Sequence, residues 1–354
     1  MTFTPFLKLA ILCEELAATT KRTVKTQLIS AFLRGLGKDE ISPTVCFIAG
    51  RAFPESDSRV LDISGRTLWR ILERSKQSPL VGEPLTILVV YRTFEEISRL
   101  SGKGSRLKKE SLLESLLGQA KPVEAKYLAK IIVGEMQIGV VEGVMLDAIA
   151  EASNVNRELV TRSHMFLGNL GEVARIALRQ GRIGLEGIGI RLFNPIKPML
   201  AEMAYEISEV LVEHGGKTAF EYKFDGARIQ IHKRGSQVQI FSRKLTDVTE
   251  SLPDIVALAS SRIRANEALL EGEVVAVGEG EKPLPFQDLM RRFRRVHEIS
   301  QVAREIPLRL RLFDLLYLNG RSLVDMPYED RGRLLSKICD ESLLAKRIVT
   351  GDVS

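Results

Sequence analysis

The 354-residue chain is poor in the residue types that announce disulfides, metal clusters and membranes. Its three cysteines, Cys13, Cys46 and Cys339, are odd in number, far apart and without CxxC or Cys/His pairing, so neither a disulfide framework nor a zinc site is signalled. They read as small core or surface residues. The four histidines, His164, His214, His232 and His297, fall into no recognisable catalytic pattern, and no general-base histidine is assigned. No window reaches the roughly 20 apolar residues that span a bilayer, and Met1-Thr2-Phe3-Thr4-Pro5 is not a basic region followed by a long apolar stretch. No membrane partner is expected, and the expected location is cytoplasmic. Internal repeats and low-complexity tracts are missing as well, which excludes a repeat architecture.

What is present is a globular composition, with 45% hydrophobic and 27% charged residues and a single Trp. The length exceeds what one ordinary core holds, so two domains are expected. A net charge of +6 suits a polyanion, because lysine and arginine gain free energy by displacing counterions condensed on phosphates. Charge alone fits equally a basic protein that binds no nucleic acid.

From Phe6 to about Gln180 apolar residues recur at three- and four-residue spacing, as in Leu7, Ile11, Leu12 and Leu16, which predicts a series of short amphipathic helices. Ser111 reads as a helix start before Leu112, Leu113, Leu116 and Leu117, and Pro122 as another. Pro195 and Pro198 disfavour continued helix, and one further helical stretch covers roughly Glu202–His214. The domains are therefore placed at 1–196 and 197–354. Beyond Gly215-Gly216 the period becomes two: Ala227, Ile229 and Ile231 alternate with Arg228, Gln230 and His232, and Val238 and Ile240 with Gln237 and Gln239. Asp225-Gly226 and Arg234-Gly235-Ser236 read as hairpin turns of an antiparallel meander, the first because a DG pair accepts positive φ. Later strands are predicted at Leu269–Val277 and Leu308–Tyr317, with helices near Leu252–Ala265, Phe286–Ile299 and Asp330–Ile338. The fold class is multidomain, all-α followed by α+β.

The chemistry centres on Glu221-Tyr222-Lys223-Phe224-Asp225-Gly226-Ala227-Arg228. A lysine amine at a fixed turn suits a covalent nucleophile, provided neighbouring cations, desolvation or a metal favour its neutral form. Alone, the KxDG tetrapeptide reads rather as a hairpin with exposed charges, because DG turns are common. It is followed, however, by Ser242-Arg243, Glu271-Gly272-Glu273 and Leu312-Phe313-Asp314, and in this order the segments resemble the nucleotidyltransferase superfamily. Taken singly, Phe313 reads as a core residue and Glu273 as a solvated strand residue. The resemblance implies that Lys223 forms a phosphoramidate with AMP, that Glu221 and Arg228 contact the nucleoside, and that Arg243 lies near ribose or phosphate. It further implies that Glu273 contacts ribose or helps hold Mg²⁺, and that Phe313 stacks on adenine. Asp225 orients the turn.

The helical half narrows the family. Gly134-Glu135-Met136-Gln137-Ile138-Gly139-Val140-Val141-Glu142-Gly143 resembles the helical DNA-binding domain of archaeal and eukaryotic replicative ATP-dependent DNA ligases. Lys197-Pro198-Met199-Leu200-Ala201 resembles its junction with the adenylation domain, and Pro285–Arg295 is also similar. Gln137 stands where the family pattern usually has a basic residue. The resemblance runs from about Phe6 to the last residue. It implies ATP and Mg²⁺ as cofactors, nicked double-stranded DNA as partner, a sliding clamp as a further candidate partner, and a monomer. Arg291, Arg292, Arg294 and Arg295 read as largely outward from a stripe of Phe286, Leu289, Met290, Phe293 and Val296, either as a solvated basic face or as a DNA contact. Gly102-Lys103-Gly104-Ser105-Arg106 with Lys108 and Lys109 reads either as a phosphate-receiving segment or as a mobile surface loop.

Forty-one residues follow Phe313, and they contain no EGxxxK-like segment, no later lysine pair and no C-terminal OB-type barrel. The expectation is a helical DNA-binding domain followed by an incomplete antiparallel adenylation domain, weak or inactive by itself. A non-catalytic nicked-DNA-binding module and an RNA-directed nucleotidyltransferase are the alternatives.

Overall fold

Helix-period burial organises the first of two compact units, Met1–Ile188 and Gly189–Ser354. The structure, a computed structural model, describes residues 3–57, 59–75, 84–199, 201–293, 303 and 305–352. The first unit consists of α1 (Phe6–Ala17), α2 (Arg22–Arg34), α3 (Lys38–Ile48), α4 (Gly65–Ser75), α5 (Ile87–Arg99), α6 (Ser105–Gln119), α7 (Pro122–Val133), α8 (Glu142–Ser153), α9 (Arg157–Leu167) and α10 (Leu170–Glu186). In α1 the face turned inward is Phe6, Leu9, Ala10, Leu12, Cys13 and Leu16, while Ile11 is exposed and Leu7 half-buried. Phe47 lies at the centre of this core, with ring centroids of Phe6 and Phe94 at 6.2 and 5.8 Å in edge-to-face geometry. Side-chain oxygens cap helix starts: Ser64 accepts from the Thr67 amide, Thr86 from Val89, Asn156 from Glu158 and Asn169 from Glu172. Pro122 opens α7. Ser111 does not open a helix; α6 begins six residues earlier, behind Gly104 at φ 83°, and Ser111 lies in its interior. All three cysteines are buried thiols.

The second unit begins with a strap, Gly189–Met199, followed by α11 (Ile207–Glu213). Its strands are β1 (Thr218–Glu221), β2 (Ala227–Arg234), β3 (Gln237–Ser242), β4 (Glu267–Ala276), β5 (Leu308–Leu318), β6 (Arg321–Ser322) and β7 (Arg347–Thr350), and its remaining helices α12 (Pro253–Arg262), α13 (Phe286–Phe293) and α14 (Tyr328–Ile338). β1 pairs antiparallel with β7, and the other strands form a five-stranded sheet in the order β3-β2-β4-β5-β6. Of the two predicted hairpins, Gly235-Ser236 joins β2 to β3, with Gly235 at φ 56°. Asp225-Gly226 joins no hairpin: β1 and β2 lie in different sheets, and β4 pairs with β2 rather than continuing a meander from β3.

Ile229 and Ile231 join Leu270, Val274 and Leu312 in the core, as alternation predicts. The opposite face is covered too. Gln230 and His232 are buried because the strap lies on them: Gln230 accepts from the Ile196 amide at 3.1 Å and donates to the Ile196 carbonyl, and His232 Nδ1 accepts from the Phe193 amide at 3.0 Å. Burial lowers the His232 imidazole to about 4, so it is a neutral structural ring. Arg292 also departs from expectation. It is buried at 2% exposure, pairs with Asp254 at 2.6 Å and donates to the Ile306 carbonyl at 3.0 Å, whereas Arg291 is outward. Leu200, Arg294, Arg295, Val296, His297 and the end of the predicted Phe286–Ile299 helix lie outside the described residues.

The packing of α10 on α3 supplies a test. A Cβ on Gly171 would lie 2.8 Å from the Ser42 carbonyl and 3.0 Å from its Cα, whereas one on Gly118 of α6 meets nothing within 4 Å. Overpacking costs about 1–3 kcal/mol and alanine outranks glycine in a helix by up to about 1 kcal/mol. Gly171→Ala is therefore expected to destabilise by about 1–2 kcal/mol in urea unfolding and Gly118→Ala to stabilise slightly; the opposite ranking would refute the close approach.

Candidate functional site

Residues 222–226 carry the chain from the two-stranded sheet to the five-stranded one, and Lys223 sits in this crossing. It is exposed, and no hydrogen bond or ion pair holds its side chain among the described residues. Glycine is required at 226 for a reason other than a turn. A Cβ there would approach the Val274 carbonyl to 2.4 Å and Glu273 Cγ to 2.8 Å, so only a bare backbone runs this close to β4.

Register then brings the sequence-predicted residues together. Arg228 of β2 stands opposite Glu273 of β4, and Gln230 opposite Glu271. The Arg228 guanidinium pairs with Glu271, donates to the Met199 carbonyl at 3.3 Å and lies 5.5 Å from the centroid of the Phe313 ring. Its Nε is buried without a partner. Glu271, only 3% exposed, also accepts from Gln230 at 3.0 Å. Burial pushes its carboxyl up, against the pull of Arg228 and Gln230.

Glu273 is half-buried, and desolvation raises its carboxyl to about 7. The cations Arg228, Lys223 and Arg243 oppose that rise and Asp225 adds to it. Arg243 lies in the exposed turn after β3, which the Leu245 amide closes on the Ser242 carbonyl at 2.9 Å. Phe313 is half-buried and outside the core of the unit. It occupies a bulge of β5, because Gly272 pairs with Leu312 and Glu271 with Asp314.

Glu221, at the end of β1, is held by Arg347 Nε at 2.6 Å and by the Tyr328 hydroxyl at 3.0 Å. Tyr328 and Arg347 were missed by sequence reasoning, as was Gln230. The alternation of β2 marks Gln230 only as the off-core face, and nothing local ties Arg347 to a residue 126 positions earlier.

In the helical unit, Gly134–Val141 links α7 to α8, with Gln137 at φ 52°. Two lysines hold this link from below: Lys130 donates to the Met136 carbonyl at 2.8 Å and buried Lys25 to the Ile138 carbonyl. Lys109 is not available to a phosphate, since it is buried against the Leu61 carbonyl at 3.1 Å, and Arg106 pairs with Glu110 at 3.0 Å. Lys103 and Lys108 remain exposed.

Comparison with known proteins agrees across both units. A family model described as ATP dependent DNA ligase domain matches residues 198–352, and one described as DNA ligase N terminus matches 5–79 and 70–150. The DNA ligase of Thermococcus fumicolans is 38% identical over 98% of this chain and 67% of its own length. That of Methanothrix thermoacetophila is 40% identical over 99% of this chain and 68% of its own. A solved structure named Pmar-Lig_Pre. shares the fold at a TM-score of 0.55 and 15% identity, over 96% of this chain and 66% of that one. Among the described residues no helix is long and apolar enough to cross a membrane.

The raised Glu273 carboxyl predicts a pH signature. Between its ordinary 4.5 and about 7, the folded chain binds more protons at this position than the unfolded chain, so stability falls as pH rises through that window. Glu273→Gln removes this fall, and the variant gains on the wild type between pH 4.5 and 7 in thermal unfolding. A stability difference that stays constant across the window would refute the assignment.

Proposed function

Because this chain belongs to the ATP-dependent DNA ligase family, we propose that its second unit takes AMP from ATP onto Lys223 and that its helical unit binds nicked duplex DNA. The chain spans about two thirds of the length of the relatives it matches. The observation that carries the reading is that β2 sets Arg228 opposite Glu273 while Gly226, at the end of the crossing that holds Lys223, is pressed against the same glutamate, beside an Arg228 Nε that is buried without a partner.

In the first step the Lys223 amine attacks the α-phosphorus of ATP: an N–P bond forms, the P–O bond to pyrophosphate breaks, and pyrophosphate leaves. In the second, an oxygen of the 5′-phosphate at the nick attacks the same phosphorus and the N–P bond breaks, freeing the lysine. The adjacent 3′-hydroxyl then attacks the 5′-phosphate, AMP leaves and the strand is sealed. Arg228 lies beside the Phe313 ring and suits the nucleoside, Arg243 suits the phosphate charge, the Phe313 face suits adenine, and Glu273 suits a ribose hydroxyl or a cation. Asp225 orients the crossing that carries Lys223.

The donor set fits Mg²⁺ held mostly by phosphate oxygens: Glu273 offers one carboxylate, and among the described residues no group of three or more acidic, histidine or cysteine side chains forms a cage. When bound, such an ion neutralises phosphate charge. Binding to DNA through phosphate and sugar gives affinity for a duplex without strong sequence preference. The chemistry requires no second copy of the chain.

Incubation with Mg²⁺ and ATP labelled at the α-phosphate, followed by denaturing electrophoresis, tests the reading. Whatever label the wild type takes up, expected to be weak, Lys223→Ala is expected to lose by about a hundredfold or more, as for removal of a covalent nucleophile. An unlabelled wild type that still selects nicked over intact duplex would replace this reading with a non-catalytic DNA-binding module.

A further inference from the structure

The bulge at Phe313 leaves its carbonyl outside the β4–β5 ladder, and two side chains from distant elements take it up. The Tyr328 hydroxyl of α14 lies 3.1 Å from this oxygen and Arg347 Nη2 of β7 lies 2.8 Å from it. The same two groups hold Glu221: Arg347 Nε donates to Oε1 at 2.6 Å, and the Tyr328 hydroxyl is 3.0 Å from each carboxylate oxygen. The Arg347 guanidinium stacks on the Tyr328 ring at 4.1 Å, and Arg331, paired with Asp314 at 2.7 Å, approaches that ring to 5.4 Å. Gly332 of α14 makes room for the stack, since a Cβ there would lie 2.1 Å from Arg347 Nη1. One arginine fork thus bridges a side-chain carboxylate and a main-chain carbonyl that belong to two separate sheets.

We propose that Tyr328 and Arg347 are positioning residues that lock the Glu221 carboxylate and the Phe313 main chain together, and so set the preference of the site for a purine bearing an amine at C6 over one bearing a carbonyl there. The proposal rests on the nucleotide-binding reading given above. A carboxylate has about four lone-pair sites, so one held by Tyr328 and Arg347 keeps acceptor capacity for a further donor. It accepts from the amine of adenine and faces the carbonyl of guanine with a second acceptor. The discrimination requires the carboxylate to be fixed relative to the ring that the Phe313 face receives, and among the described side chains only Arg347 donates to both Glu221 and Phe313 at once, the single Tyr328 proton serving one of these acceptors at a time. A free Glu221 rotates away and the preference goes with it.

Equilibrium binding of labelled ATP and of labelled GTP, each with Mg²⁺, to the full chain tests this, with thermal unfolding of each variant alongside. Arg347→Met is expected to weaken ATP by about tenfold or more, the equivalent of a charge-assisted hydrogen bond, while GTP changes little, so that the ATP:GTP ratio collapses. Gly332→Ala displaces the guanidinium without altering its chemistry and is expected to lower the same ratio. Arg347→Lys restores the charge and the stability but not the fork, and is expected to leave the ratio low. Equal weakening of both nucleotides, or unchanged ATP binding in Arg347→Met, overturns the proposal. A wild type that binds neither nucleotide overturns it together with the reading it rests on; a wild type that binds ATP but takes no covalent label removes only the lysine step.

Discussion

A carboxylate placed at the middle of a sheet must be neutralised or hydrogen-bonded on every side, and Glu271 imposes that constraint on the second unit. It sits on β4 at 3% exposure with Arg228 and Gln230 of β2 as its partners. An unpaired charge at such depth would cost several kcal/mol, so Arg228 is drawn inward and its rotamer is fixed. With its fork committed to Glu271 and the Met199 carbonyl, the guanidinium comes to lie over Phe313. Gln230 passes the constraint on to the strap by bonding both polar groups of Ile196. The strap in turn covers His232, which explains a sheet face that carries polar residues and is nevertheless closed to water.

That closure is where reading by periodicity stops. Alternation along β2 separates Ile229 and Ile231 from Gln230 and His232 correctly, because a pleated strand cannot place neighbours on one face. It cannot tell whether the polar face meets solvent or a segment more than thirty residues earlier in sequence, as it does here at 34 and 39 residues' separation. The Asp225-Gly226 pair fails for a related reason. A DG turn and a glycine forced by close approach to a neighbouring strand give the same two letters, and only the pairing of β1 with β7 distinguishes them. Arg292 likewise looks outward from the stripe of its own helix, and its burial is decided by Asp254, 38 residues away.

The helical unit was legible to a different degree. Recurring apolar residues give the helices, and in α1 the buried face keeps Leu12 and Leu16 but adds Phe6, Leu9 and Cys13, leaving Leu7 half-buried and Ile11 exposed. Its lysines that turn inward, Lys25 and Lys109 buried and Lys130 half-buried, carry no periodic signal. Lys25, Lys109 and Lys130 each hold a main-chain carbonyl in a segment distant from or beyond their own helix, which satisfies acceptors that irregular loops would otherwise leave unpaired. Cationic residues counted as general affinity for phosphate are thus divided by burial into those that hold the fold and those, such as Lys103 and Lys108, that solvent can reach.

The placement of Lys223 follows from anchors on both sides of it. Gly226 is pressed onto β4 beside Glu273, and Glu221 is fixed to Arg347 and Tyr328 at the edge of the other sheet. Each residue of extended chain spans at most about 3.6 Å, so the lysine lies within roughly 7 Å of one anchor and 11 Å of the other whatever its local conformation. Neither sheet takes its backbone into a ladder, and no partner holds its side chain among the described residues. The position is confined while the amine stays free to reach, which is the combination that a group alternating between a bound and a released phosphorus requires. One anchor in each sheet thus bears on the same short crossing, and the crossing need not be rigid for both to do so.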